Sequence, residues 1–357
     1  MPVTFVVSTG RSGSTMLSKI LQLHPDVLSL SEFFLSLQRA PFRWELPKEP
    51  LDGAQLWEMM TGADAISDAM ILGGLKNDEM LYHYDSGRFS PAAGIPNIMH
   101  STMPVLSDDP DGLYAQLEPV VPTWPTRPAS EQFMYLFEFL AGLLGRRVIV
   151  ERSGTSLALI DQLVEEFPGA RFVHMYRDGV DCTLSMLRHP LFRFAGLHAL
   201  LAEEAGLTSD ASVQEIADAL PDKAPGLILP PFDAEKFMAY DIPPALYART
   251  WAFLVANGIE ALTKLPDESW TQLSFESLLA DPDAELTRLA GFLGVPPSRD
   301  WLRAAAKMID PLRTGASAKI DPELLAELRA ACARGDKALA SLTSPAHTAA
   351  ATGSEPT

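Results

Sequence analysis

The residues best suited to chemistry lie near the start of the chain. Ser8-Thr9-Gly10-Arg11-Ser12-Gly13-Ser14-Thr15 follows a short β-branched run, 4–8 (TFVVS), and opens an apolar stretch at helical spacing over 14–23. Where a buried strand turns into a helix, backbone N–H groups and the positive helix end converge on one point, which suits a phosphate or sulfate. Gly10 and Gly13 let the backbone turn and approach a ligand closely. Ser12, Ser14 and Thr15 add hydroxyl donors, and Arg11 adds a forked cation. The pattern is not a Walker A motif, because Ser14 stands where that motif needs a lysine and the basic residue comes early, as Arg11. The alternative is a plain Gly/Ser turn capping a helix. Strand, glycines, cation and hydroxyls together favour anion binding.

A second cationic element is Tyr176-Arg177-Asp178-Gly179, at the end of the strand predicted over 171–176 (RFVHMY) and the start of a helix. Ligand contacts in open α/β sheets gather at such strand ends. Ser185 lies eight residues after Arg177, about two helical turns on. Such a pair suits a second phosphate beside the first loop. Residues 146–193 carry seven arginines and no lysine against six acids, in a chain whose net charge is −18. The competing reading is a surface arginine paired with Asp178 and Asp181.

Together these elements resemble the PAPS-dependent sulfotransferases, in particular the branch holding the tyrosylprotein sulfotransferases and many bacterial enzymes. GRSGSTMLSKILQLHPDV is similar to that branch's 5′-phosphosulfate loop with its trailing helix, and FPGARFVHMYRDGVDCTLSM to its strand and 3′-phosphate element. LSFESLLADPDAELTRLAGFLGVP and AKIDPELL are similar to its later patterns. The resemblance covers about 1–33, 146–190 and 245–341. It implies that Arg11, Ser12, Gly13, Ser14 and Thr15 hold the 5′-phosphosulfate, and that Arg177 and Ser185 hold the 3′-phosphate. It also implies that Lys319 reaches the donor, although the segment before it is shortened. Phe275 stands where the family usually has tyrosine, so a hydroxyl contact is lost and ring packing near the adenine is what could survive.

On the acceptor side, sulfuryl transfer needs a base for the acceptor hydroxyl and cations for charge building on the leaving phosphate. Glu32, in LSLSEFF, falls at the place of the branch's catalytic carboxylate. Its apolar neighbours Leu28, Leu30, Phe33 and Phe34 would raise its pKa toward working pH. The alternative is a helix-capping glutamate. Arg152, in VERSG, matches the basic residue that ends this strand and faces the bridging oxygen. The alternative is an ion pair with Glu151, although neighbouring strand residues point to opposite faces. No divalent metal is expected, because the loop and the arginines already neutralise the donor. Among the rest, His174 reads as a satisfied core histidine and His24 as the close of the first helix. His83 and His100 fall in unmatched sequence. Trp44, Trp57 and Trp124, with the Met-rich 57–60 and 99–103, fit an apolar acceptor pocket but more readily a core.

These residues need a scaffold that brings them together. Strands over 4–8, 147–151 and 171–176 alternate with helices over 14–23, 156–167 and 178–188, which predicts a parallel sheet with right-handed crossovers. A long helix from Pro244, a strand over 270–275 and helices over 284–293, 300–308 and 323–342 follow. The expected fold is a three-layer α/β, P-loop-like domain over 1–342. Residues 36–130 and 195–244 read as irregular insertions that shape the acceptor site, and 343–357 as a frayed tail.

With 357 residues the chain is long enough for a substantial core. The 46 acids against 28 basic residues disfavour nucleic-acid or anionic-membrane partners. Two cysteines make no disulfide framework, no apolar run reaches membrane-spanning length, and the compartment expected is cytoplasmic. The function expected is transfer of a sulfuryl group from PAPS, leaving PAP, to a hydroxyl of a small-molecule, lipid or glycan acceptor. A P-loop nucleotide kinase or hydrolase and an inactive nucleotide-binding protein are the alternatives.

Overall fold

Five short apolar runs form the sheet, and their alternation divides the molecule into layers. The computed structural model describes residues 2–37, 45–75, 79–310 and 313–342. Its strands are β1 (Thr4–Val7), β2 (Val27–Ser31), β3 (Val148–Arg152), β4 (Arg171–Tyr176) and β5 (Trp270–Ser274). They stand in the order β2-β3-β1-β4-β5, all parallel. The chain leaves β1 toward β2 on one side and later continues from β4 toward β5 on the other. The loops after β1 and β4 therefore diverge above the middle of the sheet, where such sheets form a crevice.

Successive side chains of a strand point to opposite faces. Phe5, Val7, Leu28, Leu30, Ile149 and Phe172 pack on one face with residues of the helices Ala129–Leu143, Ile160–Glu166, Pro244–Leu262 and Pro322–Leu342. Val6, Val27, Val150, Val173, Met175 and Leu273 pack on the other with Leu17, Ile20 and Leu21 of the helix Ser14–Gln22 and with Leu286 and Leu289. Each such fully buried side chain contributes roughly 1.5–3 kcal/mol. The layers are those of the expected α/β fold.

Several local expectations are corrected. β2 was not foreseen as a strand, yet Val27–Ser31 pairs along its whole length with β3. The helix expected over 156–167 begins as a 3-10 turn, Ser156–Leu159, before Ile160–Glu166. The helix after Arg177 spans Gly179–Met186, and Pro190, read as part of its stop, opens the next helix, Pro190–Glu204. Proline fits there because a first-turn N–H has no helical partner anyway. The stretch 195–244 is accordingly not irregular: it also holds Val213–Ala219 and Ala234–Ala239. Likewise 36–130 carries helices such as Gly53–Thr61, Ala65–Leu72 and Thr102–Leu106. Met60, Met99, Met103 and Trp124 are buried in the same core as Phe33 and Phe34, and Trp57 packs against it. They are packing, while Trp44 lies outside the described residues, as do 343–357.

Among the described residues no helix is long and apolar enough to cross a membrane. Cys182 and Cys332 are buried free thiols.

The last helix is locked to the strand ends through Trp251, which is fully buried. A Cβ on Gly179 would lie 2.7 Å from two ring carbons of Trp251 and 2.8 Å from Cys332 Sγ. Alanine at this helical position would otherwise gain from helix propensity, but overpacking a rigid ring outweighs that. Gly179→Ala is therefore expected to lower unfolding stability by about 1–3 kcal/mol in urea denaturation; unchanged stability would contradict this packing.

Candidate active site

The carboxyl ends of the five strands deliver every residue of the expected constellation except Ser185 and Lys319. β1 runs into the loop 8–13, β2 into Glu32, β3 ends on Arg152, β4 runs into Arg177 and β5 into Phe275. The pairing of Ser31 and Val6 with Arg152 aligns three of these ends at one level.

In the loop, Gly10 and Gly13 have φ of 76° and 88°, and Arg11 shares the left-handed region at 54°. Gly13 precedes the helix Ser14–Gln22. A Cβ there would fall 2.3 Å from the Phe275 ring, so only glycine lets that ring lie against the loop. Ser12 Oγ is buried without a hydrogen-bond partner among the described residues. A buried hydroxyl normally finds one, so this atom fits a polar ligand in the loop. Arg11 Nε donates to Ser185 Oγ at 3.1 Å, which brings together the two elements assigned to opposite ends of the donor. Ser14 Oγ accepts from Ser8 Oγ at 3.3 Å.

Glu32 and Arg152 form a buried ion pair, Nη1 donating to Oε1. Arg152 Nη2 donates to Ser31 Oγ at 3.0 Å, and Gly154 N–H donates to Glu32 Oε2 at 2.7 Å. Burial pushes the Glu32 carboxyl up from its ordinary value; the Arg152 charge opposes the shift and the Glu79 charge adds to it. Glu32 stands at the helix-capping position before Phe33–Ser36 with φ 58°, but its side chain caps nothing. Glu151 points to the opposite face, as strand alternation requires. Its Oε1 accepts from Ser153 Oγ at 2.6 Å and from Phe34 N, while Ser153 Oγ accepts from Leu35 N at 3.1 Å. The first turn after Glu32 is thus clasped from beneath.

Arg177 lies over the Phe275 ring, 4.7 Å from its centroid. Its Nη2 donates to Asp181 Oδ2 at 3.2 Å and to the Arg313 carbonyl at 2.9 Å. The pairing with Asp181 is real, but the side chain is 12% exposed and not a surface ornament. Asp178 instead pairs with Arg329 at 2.6 Å. Asp181 also accepts from Gly315 N and Ser317 N, both at 2.8 Å, tying down the turn Ala316–Lys319. Lys319 ends that turn and is exposed.

Sequence reasoning missed Glu79. Its Oε1 accepts from Arg11 Nη1 at 2.6 Å and from Thr15 Oγ1 at 3.2 Å, and its Oε2 lies 3.4 Å from His189 Nε2. Burial would raise this carboxyl, but His189, Arg11 and Arg152 outweigh it and hold it at about 2. No local pattern marks Glu79, because Thr15 and His189 lie 64 and 110 residues away from it. Of the remaining histidines, His24 does close the first helix: Nδ1 accepts from Asp26 N at 3.1 Å and Nε2 meets the Pro296 carbonyl at 2.9 Å. His174 is a core residue but not a satisfied one. Neither ring nitrogen has a hydrogen-bond partner among the described residues, and burial pushes it down to about 4. His83 is exposed, and His100 is pushed down to about 4 by burial. Among the described residues no group of three His, Cys, Asp or Glu is arranged to hold a metal ion.

Neither a family model nor a curated protein sequence matches the chain. Solved structures to which it is similar include the sulfotransferase domain of the Synechococcus PCC 7002 olefin synthase, at 15% identity over 95% of this chain and 94% of that one, with a TM-score of 0.44. The sulfotransferase domain from the curacin biosynthetic pathway is 16% identical over 95% and 98%, with a TM-score of 0.48. A sulfotransferase from Alicyclobacillus acidocaldarius is 15% identical over 96% and 95%, with a TM-score of 0.40. At such identities and scores these likenesses carry no weight for what the chain does.

One consequence of this arrangement is open to measurement. Burial pushes Glu151 up to about 8, so the folded protein holds a proton there that the unfolded chain, with an ordinary value of 4.5, releases. The folded state binds more protons between these values, so this group's contribution to stability is complete below about pH 4.5 and is lost as pH rises toward 8. Glu151→Gln keeps the acceptor without the acid. It should match the parent in thermal unfolding near pH 5 and exceed it near pH 9; a constant difference across that range would mean Glu151 does not titrate there.

Proposed function

We propose that the chain transfers a sulfuryl group from PAPS to a hydroxyl acceptor. One observation carries the reading: a buried carboxylate, Glu32, held by Arg152 and the Gly154 N–H, stands at the same sheet edge as a glycine loop bearing Arg11. The unpartnered Ser12 hydroxyl and the nearby Arg177 suit a ligand with anionic groups at two ends. When bound, PAPS supplies the sulfuryl group and a phosphate leaving group.

The residues of this chain then have distinct tasks. Arg11, Ser12, Ser14, Thr15 and the N–H groups from Gly13 onward hold the 5′-phosphosulfate. Arg177 and Ser185 hold the 3′-phosphate, and the buried Phe275 ring backs Arg177 and the loop at Gly13. Lys319 lies on the turn beside Arg177 and extends the cationic surface. Glu32, its carboxyl raised by burial, accepts the proton of the acceptor hydroxyl as oxygen bonds to sulfur and the bond from sulfur to the phosphate oxygen breaks. Arg152 keeps the carboxylate aimed and offsets charge building on the leaving oxygen. In-line displacement by such groups requires no proton carrier beyond Glu32. The acceptor class we assign is a small-molecule, lipid or glycan hydroxyl, and the compartment is the cytoplasm.

The test is to incubate the purified protein with sulfur-labelled PAPS and a cell extract in the presence of a chelator, and to identify labelled products by mass spectrometry. Transfer should proceed with PAPS and not with ATP; phosphoryl transfer from ATP would instead favour a nucleotide kinase. Glu32→Gln should cut kcat by about 10²–10⁴-fold with the donor KM little changed. Arg11→Ala should abolish transfer by weakening donor binding, while the protein stays folded by circular dichroism. Full activity in either variant would refute the role given to that residue.

A further inference from the structure

The carboxylate of Glu79 makes the contacts that an anionic ligand of the loop would make. It takes Arg11 Nη1 at 2.6 Å and Thr15 Oγ1 at 3.2 Å, two groups of the loop itself, and it approaches His189 at 3.4 Å. Arg11 Nε is meanwhile engaged by Ser185, so the guanidinium is divided between an internal anion and the second element. Glu79 is steadied from behind, where Ser101 Oγ donates to its carbonyl at 2.6 Å and the Leu81 N–H bonds the His100 carbonyl at 2.8 Å. Its side chain is 19% exposed and that of Arg11 23%, so the pair lies at a site open to solvent and not sealed in the core.

We infer that Glu79 is an internal competitor that sets donor affinity: its carboxylate occupies Arg11 and Thr15, and an incoming anionic group must displace it to use them. The inference rests on the reading of this loop as the donor's cradle. Its physical basis is charge-assisted hydrogen bonding, which one set of donors cannot give in full to two anions at once. Like charges forced together in a partly dry site also repel strongly. The carboxyl is held at about 2, so the competition is present at any working pH. Without an anion in the loop, Glu79 balances the charge of Arg11. With one, it must yield. Affinity is thereby lowered for substrate and product alike, and product release is correspondingly easier.

The experiment is calorimetric titration of the full chain and of Glu79→Gln with PAP and, separately, with inorganic pyrophosphate. Circular dichroism and thermal unfolding check that the variant is folded, and Glu79→Ala serves as a second neutral variant. The expected result is that both variants bind both probes about tenfold more tightly than the parent, the size of one charge-assisted contact. Unchanged or weaker binding of both probes would overturn the inference, as would loss of fold in both variants, which would make Glu79 a structural ion-pair partner. Tighter binding of pyrophosphate with no recognition of PAP by any form would leave the competition standing and overturn the PAPS reading instead.

Discussion

The ion pair between Arg152 and Glu32 is the constraint around which the site is arranged. Taking two charges out of water is costly, and hydrogen bonds to the remaining donors and acceptors of a buried pair offset part of that cost. Ser31 engages Arg152 Nη2 and Gly154 engages Glu32 Oε2, while Arg152 Nε has no partner among the described residues; β2 and β3 stand side by side with Ser31 in register with Arg152. A slip of one residue would turn Arg152 into the face now filled by Glu151 and leave both charges unpaired. The register of the sheet edge and the chemistry at that edge are therefore one requirement.

Backbone conformation points the same way. Among the described residues the non-glycine positions with left-handed φ are Arg11, Glu32 and Thr155; Glu32 follows directly on β2, and Arg11 and Thr155 lie in the loops that leave β1 and β3 at the carboxyl edge. Each such conformation costs on the order of 1–3 kcal/mol and persists only where the surroundings enforce it. For Glu32 the enforcement is visible in Glu151 and Ser153, which hold the N–H groups of Phe34 and Leu35. For Arg11 it comes from the glycines beside it and from Ser185 and Glu79.

Much of this was legible in the chain. β1, β3, β4 and β5 are marked by β-branched and aromatic runs bounded by glycine, proline or charge, and the loop after β1 carries its own signature. β2 escaped because VLSLS follows a proline, lasts five residues and alternates leucine with serine, and its serines face Ser18 and Arg152 rather than solvent. A strand paired on one side by β3 can bury serine in this way, so polarity there did not mean exposure. The helices of 36–130 and 195–244 were hidden by proline and glycine, which here open helices or sit in the turns between them. Glu79 was out of reach for a different reason. Its meaning lies in partners that only tertiary structure supplies, and so does the meeting of Arg11 with Ser185.

The clamp around Trp251 has a consequence for how the protein comes into being. The helix Pro322–Leu342 lies against Pro244–Leu262 and, through Arg329 and Asp178, against the turn that carries Arg177. Sequence separations this large make the arrangement slow to find. A nascent chain emerging from the ribosome can pair β1 with β3 early, but the turn that carries Arg177 has no back wall until the helix Pro322–Leu342 has been made. The Arg177 turn therefore gains its support long after the glycine loop has been made, so a chain interrupted before this helix would carry the loop without that scaffold.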